Sequence, residues 1–414
     1  MVAAGAVGPL VATRIRARER ETADMTANLI SDEIVADAIT IRRDLHAHPE
    51  LGFQERRTAG IVADRLKALG FETHTGIAET GVVGLLRGAK DGPTIMLRAD
   101  MDALPMAEEN DVPYRSTHPG TMHACGHDAH VAMLLGAAAI LRDRTDSFAG
   151  RIAVVFQPAE EGGGGAREMI REGILGRFEI RRAYGLHVTN VLPSGVFGTR
   201  PGPLLASVDQ FDLTVDGAGG HGGMPHRSVD PVVIAADLVG AFQRIVSREV
   251  DPIDTAVVTI GAINGGTTYN VIPPRVSMKG TVRSFNQTTR ASLEASIRRI
   301  AEHTCAAGRA TCSIDWQASY PVTVNDPSET VFLRETLAAR FGKARAIEIP
   351  PVMGSEDFSY FANEVPACFA FLGTGDATHA APNHHPAFDI DESAISAGIA
   401  AHVDLALGAL ARSS

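Results

Sequence analysis

Short apolar runs at residues 81–86, 94–98, 151–156 and 182–188 alternate with segments of helical pattern, and this alternation constrains the fold more than any other feature of the chain. Each run reads as a buried strand. Helical patterns at 128–141 and 166–172 lie between them. Two further helices come first, one opening at Ser31 or Asp32 and running to about His46, the other spanning residues 57–69. Pro49 and Gly70 end these two. Strands alternating with helices predict a three-layer α/β domain.

After Val196 the texture changes. Residues 207–215 alternate like a half-exposed strand, 229–250 and 287–307 are long helices, and 255–263, 275–282 and 311–316 are strands. That order, β-α-β-β-α-β, is the split pattern of a ferredoxin-like module. From about Asn325 the α/β texture returns, with helices at 329–340 and 392–410 and a strand at 367–372. The expected organisation is a catalytic domain in two parts, residues 30–200 and 319–414, interrupted by an α+β module at 201–318. Residues 1–29 carry an apolar stretch followed by the charges of Arg14 to Arg20, the reverse of a signal peptide. They read as a disordered extension, with Met1 or Met25 as the natural start.

Composition serves mainly to exclude. A chain of 414 residues has room for two or three domains and a large core without disulfide staples. With 45% hydrophobic and 21% charged residues it is a globular protein, not a disordered one. A net charge of −11 leaves no basic footprint for nucleic acid. Cys125, Cys305, Cys312 and Cys368 are too scattered for a disulfide framework, which favours a reducing, cytoplasmic compartment. No run of 18 apolar residues occurs, so no membrane span is expected.

The polar residues that can carry chemistry fall at predicted strand ends, where open α/β sheets bind ligands. Asp100 and Asp102 end one strand, and His123-Ala-Cys125-Gly-His127-Asp128 opens the next helix. Gln157-Pro-Ala-Glu160-Glu161 follows another strand, His187 ends the one after, and Asn383-His384-His385-Pro386 lies far downstream. A thiolate and an imidazole two residues apart on a glycine-bent loop can reach one metal ion. Alone, that loop reads equally well as a capped helix start; four other loops bearing His or Glu favour the metal. Adjacent carboxylates usually form a solvated pair. In extended chain, however, neighbours point opposite ways, so one of Glu160 and Glu161 can bind metal while the other faces an attacking water. The four glycines at 162–165 lead into Ala166-Arg167, which breaks both the Gly-Lys-Ser/Thr and the G-x-G-x-x-G phosphate patterns; they read as room for a substrate. His221, among the glycines at 219–223, is either a simple turn or a hydrogen-bond donor to a ligand brought from elsewhere. The loops at 268–273 and 354–357 are weaker candidates of the same kind.

The chain resembles the M20 metallopeptidase family, in its aminoacylase-like amidohydrolase branch of hippurate hydrolases, N-acyl-amino-acid amidohydrolases and auxin-conjugate hydrolases. The resemblance runs from about residue 42 to 392. It rests on Arg43-Asp-Leu-His-Ala-His-Pro-Glu-Leu51, Leu97-Arg-Ala-Asp-Met-Asp-Ala-Leu-Pro105, His123-Ala-Cys-Gly-His-Asp128, Gln157-Pro-Ala-Glu-Glu161, Gly220-His-Gly-Gly-Met-Pro-His226 and Gly354-Ser-Glu-Asp-Phe358. It implies a three-layer α/β metallohydrolase domain with an inserted ferredoxin-like lid through which the protein forms a homodimer. It also implies two divalent metal ions per subunit (Zn, Mn, Co or Ni), with Cys125, His127, Glu161, His187 and either His384 or His385 as ligands. The family places the last ligand two residues before the proline, which selects His384, although Asn383 stands where an apolar residue is common. Glu160 would be the general base, Asp102 an orienting carboxylate, and His221 a histidine reaching across the dimer. The implied reaction hydrolyses the amide of an N-acyl amino acid to a carboxylic acid and an amino acid. Two divalent ions outweigh the single charges of Cys125 and Glu161, so a substrate with a free carboxylate is expected. Two alternatives stand beside this reading: an M20-type dipeptidase or carboxypeptidase, and a metal-binding homologue without catalysis. The second should lack its base or some ligands, and this chain has all of them.

Overall fold

The structure is a computed structural model that describes residues 30–412. The expected disordered extension at 1–29, with its question of the start at Met25, lies outside the described residues. Among the described residues the chain divides into two compact units, one of residues 30–202, 325–350 and 360–412, the other of residues 203–324 and 351–359.

The first unit is built on an eight-stranded mixed sheet. Its order is Glu72–Ile77, Gly81–Arg87, Ala149–Gln157, Lys90–Asp100, Ile180–Pro193, Ala367–Gly375, Phe197–Thr199 and Ala346–Glu348. The four central strands run parallel to one another and pair antiparallel with the strands outside them. Central strands buried on both faces must be apolar throughout, which is why these runs were legible. Glu72–Ile77 lacks such a run and was not anticipated; it is an edge strand with only Ile77 buried. Helix His127–Leu141 is buried on nearly all sides, and all its residues but Ala139 are withdrawn from water. Helix Asp32–Ala47 opens where Ser31 accepts the Ile34 N–H at 3.3 Å. The segment Glu392–Ala411 is long and apolar enough to cross a membrane, which the absence of an unbroken apolar run had not indicated; 72% of its apolar window is buried inside the protein, as in a core helix.

The second unit has the βαββαβ order. Its antiparallel sheet runs Ala256–Asn264, Arg275–Ser284, Ser207–Asp216, Thr311–Ala318, and the helices Pro231–Arg248 and Gln287–Ala307 pack on it. Both helices start at a capping side chain, Asp230 and Asn286. The division of the chain differs from the expected one: residues 319–324 and 351–359 belong to this unit rather than to the catalytic domain. The cause is backbone pairing that no periodicity reveals. Ala206 N–H donates to the carbonyls of Val352 and Gly354, at 3.2 and 2.9 Å.

Candidate metal centre

Asp100, Asp102, Cys125, His127, Glu160, Glu161, His187 and His384 all come together in the first unit, around the carboxyl ends of its parallel strands. Cys125 precedes the helix that starts at His127. Gly126 between them has φ +84°, and a Cβ there would sit 2.3 Å from Val188 Cγ2, so only glycine permits this turn. His127 Nδ1 donates to the Asp102 carbonyl oxygen at 2.8 Å. Its Nε2 is buried and has no hydrogen-bond partner among the described residues. His187 likewise spends Nδ1 on the Val188 carbonyl at 2.8 Å and leaves Nε2 3.3 Å from Cys125 Sγ.

The Asp102 carboxylate grips the loop that carries the paired glutamates. It accepts the Glu160 N–H at 3.0 Å on one oxygen and the Glu161 N–H at 2.8 Å on the other. Ala159, just before them, has φ +52°, a conformation that costs a non-glycine residue about 1 kcal/mol or more. The buried carboxyl of Glu55 holds it there by accepting the Ala159 N–H at 2.8 Å and the Thr80 hydroxyl at 2.6 Å. Burial raises the Glu55 carboxyl above its ordinary value. The glycines that follow are not all room for a substrate. A Cβ on Gly165 would stand 1.7 Å from the Pro158 carbonyl oxygen, so this glycine serves the packing of the loop, whereas Gly162 faces open space.

The structure separates the two downstream histidines. His384 has φ +66°, and its N–H donates to the Ala124 carbonyl at 2.8 Å. Its Nε2 lies 3.1 Å from Glu161 Oε1. His385 is exposed, and its Nδ1 accepts the Ala387 N–H at 3.0 Å. His221 lies in the second unit, on the short strand Gly220–His221 paired with Val271–Ile272. It is exposed, and Nδ1 accepts the Gly223 N–H at 3.0 Å, so a neutral ring carries its proton on Nε2.

Several supporting residues stood within the strand-end motifs but were given no role by the sequence reading. Arg98 bonds Asp100 at 2.6 Å and Gln157 at 2.8 Å. Asp100 accepts from His130 Nδ1 at 2.5 Å, while His130 Nε2 accepts the Val188 N–H at 2.8 Å. An amide N–H can only donate, so the His130 proton is fixed on Nδ1 and both ring nitrogens are engaged. The three-residue spacing of His127 and His130 on one helix face was the available signal. Beneath the centre, Asp128 is held by Arg42 Nε at 2.9 Å and His46 Nδ1 at 2.8 Å, and Arg42 also reaches Asp389 at 2.6 Å. These ties fix the start of the His127 helix against the loop that carries His384.

The donors fit divalent metal ions. Ligand atoms of Cys125, His127 and His187 lie within 4.8 Å of one another, as do those of Cys125, Glu161 and His384, and those of His127, Glu160 and Glu161. Thiolate, imidazole and carboxylate together suit a borderline-soft cation. The local field agrees. Burial alone would lower His127, but Asp100 and Asp102 outweigh it and push the imidazole up to about 10. Burial, with the Glu161, Glu160 and Asp100 carboxylates, drives the Cys125 thiol well above its ordinary value. Buried carboxylates gathered this closely favour a bound cation.

The comparisons with known proteins agree with this geometry. Residues 96–408 match the model of peptidase family M20/M25/M40. The chain is 41% identical to thermostable carboxypeptidase 2 of Saccharolobus solfataricus over 93% of its own length and 98% of that protein. It is 42% identical to N-acetyl-L-cysteine deacetylase of Bacillus subtilis, with 86% and 84% covered. The crystal structure of the Bacillus subtilis YXEP protein, a dinuclear metal-binding peptidase of the M20 family, superposes with a TM-score of 0.80 at 34% identity, covering 92% of this chain and 99% of that one. The chain belongs to peptidase family M20/M25/M40, in its aminoacylase-like branch.

Proposed function

We propose that this protein is a metal-dependent amidohydrolase that cleaves N-acyl amino acids to a carboxylic acid and an amino acid. The observation that carries the reading is one cluster, buried except at His384 and partly at Glu161, in which donors from separate segments meet beside a carboxylate, Glu160, whose backbone is fixed by Asp102. Cys125, His127 and His187 would hold one ion, and Cys125, Glu161 and His384 a second. Zinc, manganese, cobalt and nickel all match these donors. Ions held there supply Lewis acidity toward water and the substrate carbonyl. Glu160 takes the proton of the attacking water on its carboxylate and returns it to the leaving nitrogen. Asp102 keeps Glu160 and Glu161 facing the substrate through their amides. His221 donates its Nε2 proton to the developing oxyanion.

The protein acts as a homodimer in the cytoplasm, joined through the second unit, with His221 completing the partner's site. Exposed Ile263, Tyr269 and Val271 on that unit, the first on the edge strand Ala256–Asn264, support the joining surface. Mixing Glu160→Gln with His221→Ala protein tests it: subunit exchange should restore one working site per heterodimer. If the subunits exchange and no activity returns, His221 does not act across the dimer.

A carboxypeptidase relative at 41% identity favours a second reading, release of a C-terminal residue from peptides. The chemistry is close, because an N-acyl amino acid presents the same amide next to the same free carboxylate. A release assay over N-acetyl, N-benzoyl and indole-acetyl amino acids, set against dipeptides with a free amine, separates the two. Higher kcat/KM on the N-acyl series is expected. Preference for free-amine peptides would replace the proposal.

A further inference from the structure

Asn383 directly precedes the last ligand, and its side chain is placed to do more than fill space. Its Nδ2 donates to the Cys125 carbonyl at 3.2 Å and to the Val188 carbonyl at 3.1 Å. Both partners are carbonyl oxygens, so the amide orientation is forced: only the NH2 group can face them. The Val188 carbonyl also receives His187 Nδ1 at 2.8 Å, and the next residue along, His384, donates its own N–H to Ala124 at 2.8 Å. One carboxamide therefore ties together the backbones that carry Cys125, His187 and His384. These residues come from a helix-start loop, a central strand and a downstream loop, and no covalent route shorter than 60 residues joins any two of them. The tie also bears on backbone conformation. His384 sits at φ +66°, a region that a non-glycine residue keeps only when its surroundings impose it. The Asn383 side chain and the His384 N–H pin the chain entering this turn, and the His385 N–H closes it on the Pro382 carbonyl at 3.2 Å.

We propose that Asn383 is a positioning residue for metal binding, holding Cys125, His187 and His384 at the mutual spacing that a pair of divalent ions requires. This rests on the ligand set proposed above. The role differs from that of a packing residue in what it controls: the affinity of the ions rather than the stability of the metal-free chain. Its loss belongs with the outer partners of metal ligands, which typically cost about 10–100-fold in metal affinity.

The test uses cobalt(II) as probe on the full-length protein, its wild type, Asn383→Leu and Asn383→Asp. Leu keeps the volume and removes both donors. Asp keeps the shape and places oxygen where the NH2 group stood, and it serves where Leu fails to fold. Stepwise cobalt dissociation constants are measured by chelator competition, with the thiolate-to-cobalt absorption band reporting Cys125 and the melting temperature of the metal-free protein reporting the fold. The expected result is about 10–100-fold weaker cobalt binding in both variants, a shifted thiolate band, and a metal-free melting temperature close to wild type. Wild-type cobalt affinity in a folded variant overturns the positioning role and leaves the metal reading standing. A metal-free melting temperature that falls with cobalt affinity unchanged also overturns it, since Asn383 is then a packing residue. If wild-type protein fails to bind two cobalt ions, the ligand set itself falls and this role falls with it.

Discussion

The two units bury their sheets in opposite ways. In the first, strand Gly81–Arg87 is buried at every residue except Arg87, and Ala149–Gln157 is nearly as dry. In the second, Arg275–Ser284 alternates: Val276, Met278, Gly280 and Val282 face the helices while Ser277 and Lys279 face water. The core of the second unit is apolar, centred on Phe211 stacked on Trp316 at 5.5 Å and edge-on to Phe242 at 6.2 Å. The first unit instead buries Arg42, Arg98, Asp100, Asp102, His127, Asp128 and Glu160 beside its apolar core. A sheet dry on both faces gives charges a low-dielectric setting, where each is costly alone and strong in company. The donors of the candidate metal centre concentrate in the unit that can make that setting; the unit with a wet face packs its helices on an apolar core, though it too buries the carboxylates of Asp209, Glu356 and Asp357.

Four measurements sharpen or break this contrast. The largest effect is expected from Glu160→Gln, which should lower kcat by about 10²–10⁴-fold while metal content and melting temperature stay put. A metal-replete variant with wild-type kcat would remove Glu160 from its role. Next comes Phe211→Ala. Urea denaturation should show a loss of about 3–5 kcal/mol, with metal content of the folded protein intact; a variant that also sheds its metal would mean that the two units do not divide the work as drawn. Third, His384→Ala should weaken metal binding by at least the roughly 10–100-fold typical of lost outer partners, and His385→Ala should not, as mass spectrometry of bound metal can show. The reverse ranking would move the ligand to His385.

The effect that is smallest at neutral pH concerns acid. Burial holds His402 down to about 3 from its ordinary 6.5. The unfolded chain therefore takes up a proton below 6.5 that the folded chain refuses. Stability from this group is full above that pH and declines as pH falls toward 3, by about 1.4 kcal/mol per pH unit. His402→Leu should flatten the dependence of the urea midpoint on pH over this window, and an unchanged slope would show that other groups set the acid limit.

Much of this was legible in the sequence because burial writes itself into composition. Apolar runs marked the central strands of the first unit, and alternation marked Ser207–Asp216 in the second. The residues proposed as ligands were visible as His, Cys and Glu at predicted strand ends, and the resemblance to the M20 family singled them out as a set. What stayed hidden depended on partners distant in the chain. Edge strand Glu72–Ile77 is polar because one neighbour suffices to hold it. Glu55 and Asn383 look like ordinary polar residues until the fold brings Ala159 and the carbonyls of Cys125 and Val188 to them. Residues 351–359 join the second unit through backbone pairing, which leaves no trace in side-chain pattern.

The amide of Val188, donating to His130, has a consequence for how accurately the protein can be loaded. Asp100, His127 and His130 form a chelating trio of their own, close enough to hold an ion and sharing His127 with the proposed centre. An ion choosing between the two would sometimes settle in the wrong one. To ligate through Nδ1, the nitrogen beside Asp100, His130 would have to move its proton to Nε2 and so abandon a buried backbone N–H, at a cost of about 1–3 kcal/mol. One strand amide thus closes a competing address, and an arriving ion is left with the destination that includes Cys125.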